Sequence, residues 1–104
     1  MFHPVAEKEL GAFSAAERVA LLHAVEKLAA LGPSLPFPHQ SAVRGGLGMR
    51  ELRPRGGRSR VRGLYGRVGE VFVIAAVGTE AKVDPRGFDR AVARALERLI
   101  EVEE

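Results

Sequence analysis

The sequence has no cysteine, no tryptophan and a single tyrosine among its 104 residues. Without cysteine there is no disulfide framework, no thiol nucleophile and no thiolate-ligated zinc. The three histidines, His3, His23 and His39, stand far apart and lack metal-ligand spacing, so no metal site is expected. Long hydrophobic runs are missing too: the longest is Val71 to Val77, far short of a membrane span. No phosphate loop, dinucleotide fingerprint or nucleophile elbow is present, and no cofactor is expected. The opening Met-Phe-His-Pro has no charged leader with an apolar core, so the default is a soluble cytoplasmic protein. What remains is 46% apolar residues, enough for one modest core, in a length that suits one domain over residues 1–104.

Charge is unevenly spread. Arg44, Arg50, Arg53, Arg55, Arg58, Arg60, Arg62 and Arg67 share their segment with one acid, Glu51, a net +7. The rest of the chain, with eight basic and twelve acidic residues, carries −4. A basic block of this kind is the footprint of a polyanion partner, and we favour nucleic acid over a merely solvated hairpin.

The chain reads as helix, helix, strand, strand, strand, helix. Pro4 suits a first helical position and Gly11 ends that helix. Ser14 to Glu17 reads as a capping box opening a second helix with Leu21, Val25 and Leu28 on its apolar stripe, widened by Leu22 and Ala29. Gly32 and Pro33 stop it. Pro33 to Pro38 is an extended connector, and Gly45, Gly46 and Gly48 form a turn. Strands are expected over Met49–Arg53, Ser59–Val68 and Val71–Val77, the last continuous in apolar character and so the most buried. Asp84 and Pro85 open a final helix whose apolar face is Phe88, Val92, Ala95, Leu96, Leu99 and Ile100. The fold class is α+β: a small antiparallel sheet of three to four strands against an N-terminal helical pair, with a C-terminal helix and the helices on one face.

Alternation in a strand puts Arg60 and Arg62 on one face and Val61 and Tyr65 on the other. Pairing through the turn brings Arg53 near Arg60 or Arg62, where the guanidiniums repel unless an anion or Glu51 lies between them. Tyr65 reads as a half-buried packing residue. His39, in a loop, has access to acid–base work near neutral pH, whereas His23 on a helix reads as structural. Lys82 lies in a polar loop after the buried strand. Arg86, Arg90, Arg94 and Arg98 make a basic stripe at i+4 spacing, either a solvated face or a docking surface. Any chemistry must run on Arg, Lys, His, Tyr or carboxylates, a set that suits metal-free RNA cleavage.

Several short motifs follow in order: Leu31-Gly32 to Leu35 and Pro38, Gly45-Gly46, Glu51-Leu52-Arg53, Arg62-Gly63-Leu64-Tyr65, Gly69, Val71 to Val77, and Asp84-Pro85. Over Leu28 to Leu99 this resembles the RelE/ParE toxin superfamily, particularly its phage-derived HigB-like branch. The resemblance implies a curved antiparallel sheet and a ribosome-dependent, metal-free endoribonuclease that cuts mRNA and is silenced by a cognate antitoxin. It matches Arg53 and Arg62 to the scissile phosphate, Tyr65 to the family tyrosine and Lys82 to a base; with the reading of the residues themselves, Lys82 or His39 would serve as base or acid. Arg44, Arg50, Arg55, Arg58 and Arg60 would hold the RNA backbone. The loop before Pro85 keeps one lysine, Lys82, where this branch has several, and Gly63 and Gly66 stand where it has bulky residues. The expected partners are antitoxin, mRNA and ribosome, with a homodimer as a candidate assembly and no membrane. The alternatives are a non-catalytic nucleic-acid-binding or degenerate relative, and a ParE-like inhibitor of DNA gyrase.

Overall fold

The computed structural model describes residues 1–103. Helix α1 runs over Pro4–Leu10, with the His3 ring accepting the Val5 N–H at its start. Helix α2 runs over Ala15–Leu31, and the Ser14 hydroxyl accepts the Glu17 N–H as its cap. Only half of the expected capping box forms. The Glu17 carboxylate turns away from its own helix and accepts from the Ser59 hydroxyl and the Val61 N–H, tying α2 to the sheet.

Four strands follow: β1 over Gln40–Ala42, β2 over Arg50–Leu52, β3 over Val61–Val68 and β4 over Val71–Thr79. They pair antiparallel in the order β1-β2-β3-β4. β1 is the strand not expected from sequence. The outer edge of β4 is covered by the N-terminus, where the His3 N–H donates to the Ile74 carbonyl at 2.9 Å and Ile74 returns a bond to Met1 at 2.7 Å. This bridge shields the middle of that edge from pairing with another strand. Helix α3, Pro85–Glu103, completes the fold. The Asp84 carboxylate accepts the Gly87 N–H at 2.9 Å, the cap expected of it.

The helices lie on both faces of the sheet, not one. Val61, Tyr65, Ile74 and Val77 pack with Leu10, Leu21 and Leu28 of α1 and α2. Leu64, Ala75 and Ala76 pack with Phe88, Ala91 and Ala95 of α3. Leu64 pairs with Ala76 and Tyr65 with Ile74, so a bulge leaves Ala75 without a partner and turns Ala75 and Ala76 to the same side. This is why β4 reads as continuously apolar: both of its faces are covered. Glycines permit the close approach. A Cβ on Gly63 would stand 3.1 Å from Leu21 of α2, and one on Gly66 would stand 2.8 Å from Leu99 of α3.

One ionic tie spans the layers. Glu9 of α1 takes a two-pronged bond from Arg98 of α3, both contacts at 2.9 Å, and also accepts the Val77 N–H. Arg94 adds a longer contact at 3.8 Å. The basic stripe on α3 is therefore not a uniform exposed face: Arg94 and Arg98 are turned to Glu9, while Arg86 and Arg90 are exposed. Burial opposes ionisation of Glu9, but the Arg98 and Val77 hydrogen bonds and the two arginine charges outweigh it and hold the carboxyl below its ordinary value of 4.5. The Ser59 hydroxyl, aided by Val61, does the same for Glu17. A carboxyl lowered in the folded state stabilises the fold above its unfolded pKa and loses that contribution as the pH falls through the folded one. Urea unfolding should thus show stability declining as the pH drops below about 4.5. Glu9→Gln should lower the neutral-pH plateau by about 3 kcal/mol, because Arg98 is left half-buried without its carboxylate, and should flatten the acid decline.

Candidate functional site

The antiparallel register of β2 and β3 sets Glu51 opposite Leu64 and Leu52 opposite Gly63. Arg53 and Arg62 then come side by side, and the acid needed between them is present. Arg53 Nη1 lies 2.6 Å from Glu51 Oε1, and Arg62 Nε lies 3.4 Å from the same oxygen. On its other side Arg62 Nη2 meets Glu80 Oε2 at 2.8 Å. The result is a ladder of alternating charge, Arg53–Glu51–Arg62–Glu80, laid across three strands.

Arg62 is 2% exposed. Its guanidinium donates to the carbonyls of Gly57, Ser59 and Val61 as well as to Glu80. Its Nε faces Glu51 too obliquely for a hydrogen bond and is buried without an acceptor. Burial, and next the charge of Arg53, push its pKa below the ordinary guanidinium value despite the two acids. The sequence reading places Arg62 at the scissile phosphate; in the structure its guanidinium is enclosed by protein groups. Its two terminal nitrogens are engaged by the Gly57, Ser59 and Val61 carbonyls and by Glu80, and these bonds hold the 54–60 turn and the end of β4 together.

Arg53 is different. It keeps 24% of its side chain exposed. Its Nε donates to the Pro38 carbonyl at 3.1 Å, its backbone N–H donates to the His39 carbonyl at 2.8 Å, and its guanidinium lies over the exposed Phe37 ring at 5.7 Å. Gly57 makes room for it, since a Cβ there would fall 2.6 Å from Arg53 Nη2. Arg53 is thus fixed in place with part of its surface open.

It opens onto a groove of about 270 Å³ between α2, the connector and the turn after β2. Ala20, Ala24, Leu35 and Leu52 provide the apolar floor, and His23, Lys27, His39, Arg53 and Arg55 provide the polar groups. No carboxylate lines it. Arg55 is held on the rim by a left-handed backbone, φ 56°, a conformation that costs a non-glycine residue energy and is kept only where its surroundings impose it. Three cationic side chains and two imidazoles around an apolar floor have the chemistry to hold a phosphodiester and to exchange protons with it.

The remaining expected residues are scattered. Tyr65 is 4% exposed, edge-on to Phe72, and burial raises its pKa. It lines a second groove with Arg50, Arg67 and Gln40, which meets the first at Leu35. Lys82 is exposed in the turn after β4 and is not in the lining of the first groove. Arg44, Arg58 and Arg60 are exposed outside it. Of the catalytic and RNA-binding residues read from sequence, the structure brings together Arg53, Arg55 and His39.

His23 and Lys27 also line the groove, where the sequence reading did not place them, and the cause is a rotation of α2. Its buried arc is Ala20, Leu21, Ala24 and Leu28, while Leu22 is 45% exposed and Ala29 is exposed. Reading the stripe as widened by Leu22 and Ala29, both exposed, rather than by Ala20 and Ala24 turned the His23–Lys27 edge away from the groove. The i, i+4 spacing of His23 and Lys27 beside Ala20 and Ala24 was the available signal.

Among the described residues no helix is long and apolar enough to cross a membrane. No curated protein matches the chain. Residues 8–99 match the family described as phage derived protein Gp49-like (DUF891), one of the RelE/toxin-like families, and since the match takes in most of its length the chain belongs to that family.

Proposed function

We propose that this protein is the toxin of a toxin–antitoxin pair, of the HigB-like kind, and that it cuts mRNA on the ribosome using the side chains of the groove between α2 and β2. One observation carries the reading: two imidazoles, two guanidiniums and an ammonium line a single groove that contains no carboxylate. A 2′-hydroxyl attacking the neighbouring phosphate needs a proton acceptor, charge stabilisation at the phosphoryl oxygens and a proton donor for the leaving oxygen. His39 is a proton-transfer group, and Arg53 and Arg55 bind the scissile phosphate. Arg62 positions Arg53 through Glu51. Arg50, in the adjoining groove, and the exposed Arg44, Arg58 and Arg60 contact the flanking RNA or ribosomal phosphates. A cognate antitoxin, acting in the cytoplasm, would block this basic surface.

The test is induced expression in a bacterial host. Growth should stop within a few generations, translated mRNAs should be truncated, and co-expression of the protein encoded by the neighbouring reading frame should restore growth. A wild-type protein that is well expressed, folded and harmless would contradict the proposal.

A further inference from the structure

We infer that His23 is the second proton-transfer group of this groove, working across the scissile phosphate from His39. The inference rests on the ribonuclease reading above and extends it. In an in-line displacement the entering and leaving oxygens lie on opposite sides of the phosphorus, so base and acid must come from opposite walls of the site. The groove draws its two imidazoles from two different elements, α2 and the connector. His39 sits on the connector wall beside Arg53, whose N–H bonds the His39 carbonyl at 2.8 Å. His23 sits on α2, and Ala20, Ala24, Leu35 and Leu52 line the same groove.

His23 has no structural duty that would account for it. It is exposed and belongs to neither core cluster. The charged and polar groups that line the groove with it are Lys27 on its own helix, Arg53 and Arg55 beyond β2, and His39 on the connector. The cations among them draw the phosphate in, and the two imidazoles are the groove's side chains with a nitrogen that can either accept or donate a proton.

The step balances with these groups alone. One neutral imidazole takes the 2′-hydroxyl proton as the 2′-oxygen forms its bond to phosphorus. The other, protonated, gives its proton to the 5′-oxygen as the P–O5′ bond breaks. The products are a 2′,3′-cyclic phosphate and a 5′-hydroxyl, and the two imidazoles regain their starting states by proton exchange with water.

The experiment is single-turnover cleavage of mRNA on programmed ribosomes, followed across the pH range in which histidine titrates, for wild type, His23→Gln and His39→Gln. Thermal melts of each variant establish that it is folded. The wild-type profile should be bell-shaped. His23→Gln should be slower by about 100-fold or more and should lose one limb of the bell, with ribosome binding unchanged. Loss of the acid-side limb makes His23 the base, and loss of the alkaline limb makes it the acid. A His23→Gln variant at the wild-type rate overturns the inference and leaves the ribonuclease reading standing. So does a slower variant that keeps both limbs, because His23 would then serve binding alone. Intact mRNA with the wild-type protein overturns both.

Discussion

Arg62→Ala is expected to cost about 3–5 kcal/mol of stability, enough to unfold much of a protein this small under ordinary conditions. The substitution removes a side chain that is 2% exposed and leaves a void among Leu64, Gly57 and the sheet. It strips the donor from the carbonyls of Gly57, Ser59 and Val61 and leaves Glu80 without its counter-charge. Leaving partners unpaired costs more than the pair ever contributes, because the acid stays partly desolvated. Arg62→Lys should recover only part of the loss, since one ammonium cannot reach several acceptors arranged around a planar guanidinium. Urea titration of the purified variants measures this. An Arg62→Ala protein as stable as wild type would show that the ladder is not what holds the turn.

Arg53→Ala is expected to do the opposite. Its side chain is partly open, and Glu51 retains Arg62 when Arg53 is gone. Removing Arg53 also takes away a like charge that disfavours the ionised form of Arg62. Stability should therefore change by no more than about 1 kcal/mol. Cleavage should fall by about 100- to 1,000-fold, the usual loss when a fixed donor to developing phosphoryl charge is removed. Arg53→Lys should restore little, because its ammonium cannot keep the Pro38 bond, the Phe37 stack and a phosphate contact together. If Arg62 serves folding and Arg53 serves cleavage, the two effects separate cleanly when cleavage and urea stability are measured on the same samples.

Much of the fold could be read from the sequence because its signals were local. Pro4 and Gly11 bound α1, Ser14 and Gly32 bound α2, and Asp84 and Pro85 open α3, each through backbone chemistry that acts over a few residues. β1 was invisible because three residues following a proline-rich connector have too little alternation to mark a strand. The placement of α3 on the far face could have been argued from the unbroken apolar run of β4, which already implied cover on both sides. The site was less legible. Arg53 and Arg62 look alike as residues, and what separates them is Glu80, which reaches Arg62 only through the pairing of β3 with β4. His23 depended on the rotation of a helix whose packing edge is alanine, and small residues announce a packing face more weakly than leucines do.

The central claim is that the basic groove cuts RNA by attack of its own 2′-hydroxyl. The measurement that tests it most directly is the chemistry of the ends left on mRNA after purified protein is added to programmed ribosomes. A downstream fragment carrying a 5′-hydroxyl and an upstream fragment ending in a cyclic or 3′-phosphate are the predicted result. A 5′-phosphate on the downstream fragment, or intact mRNA alongside inhibited DNA gyrase, would contradict it.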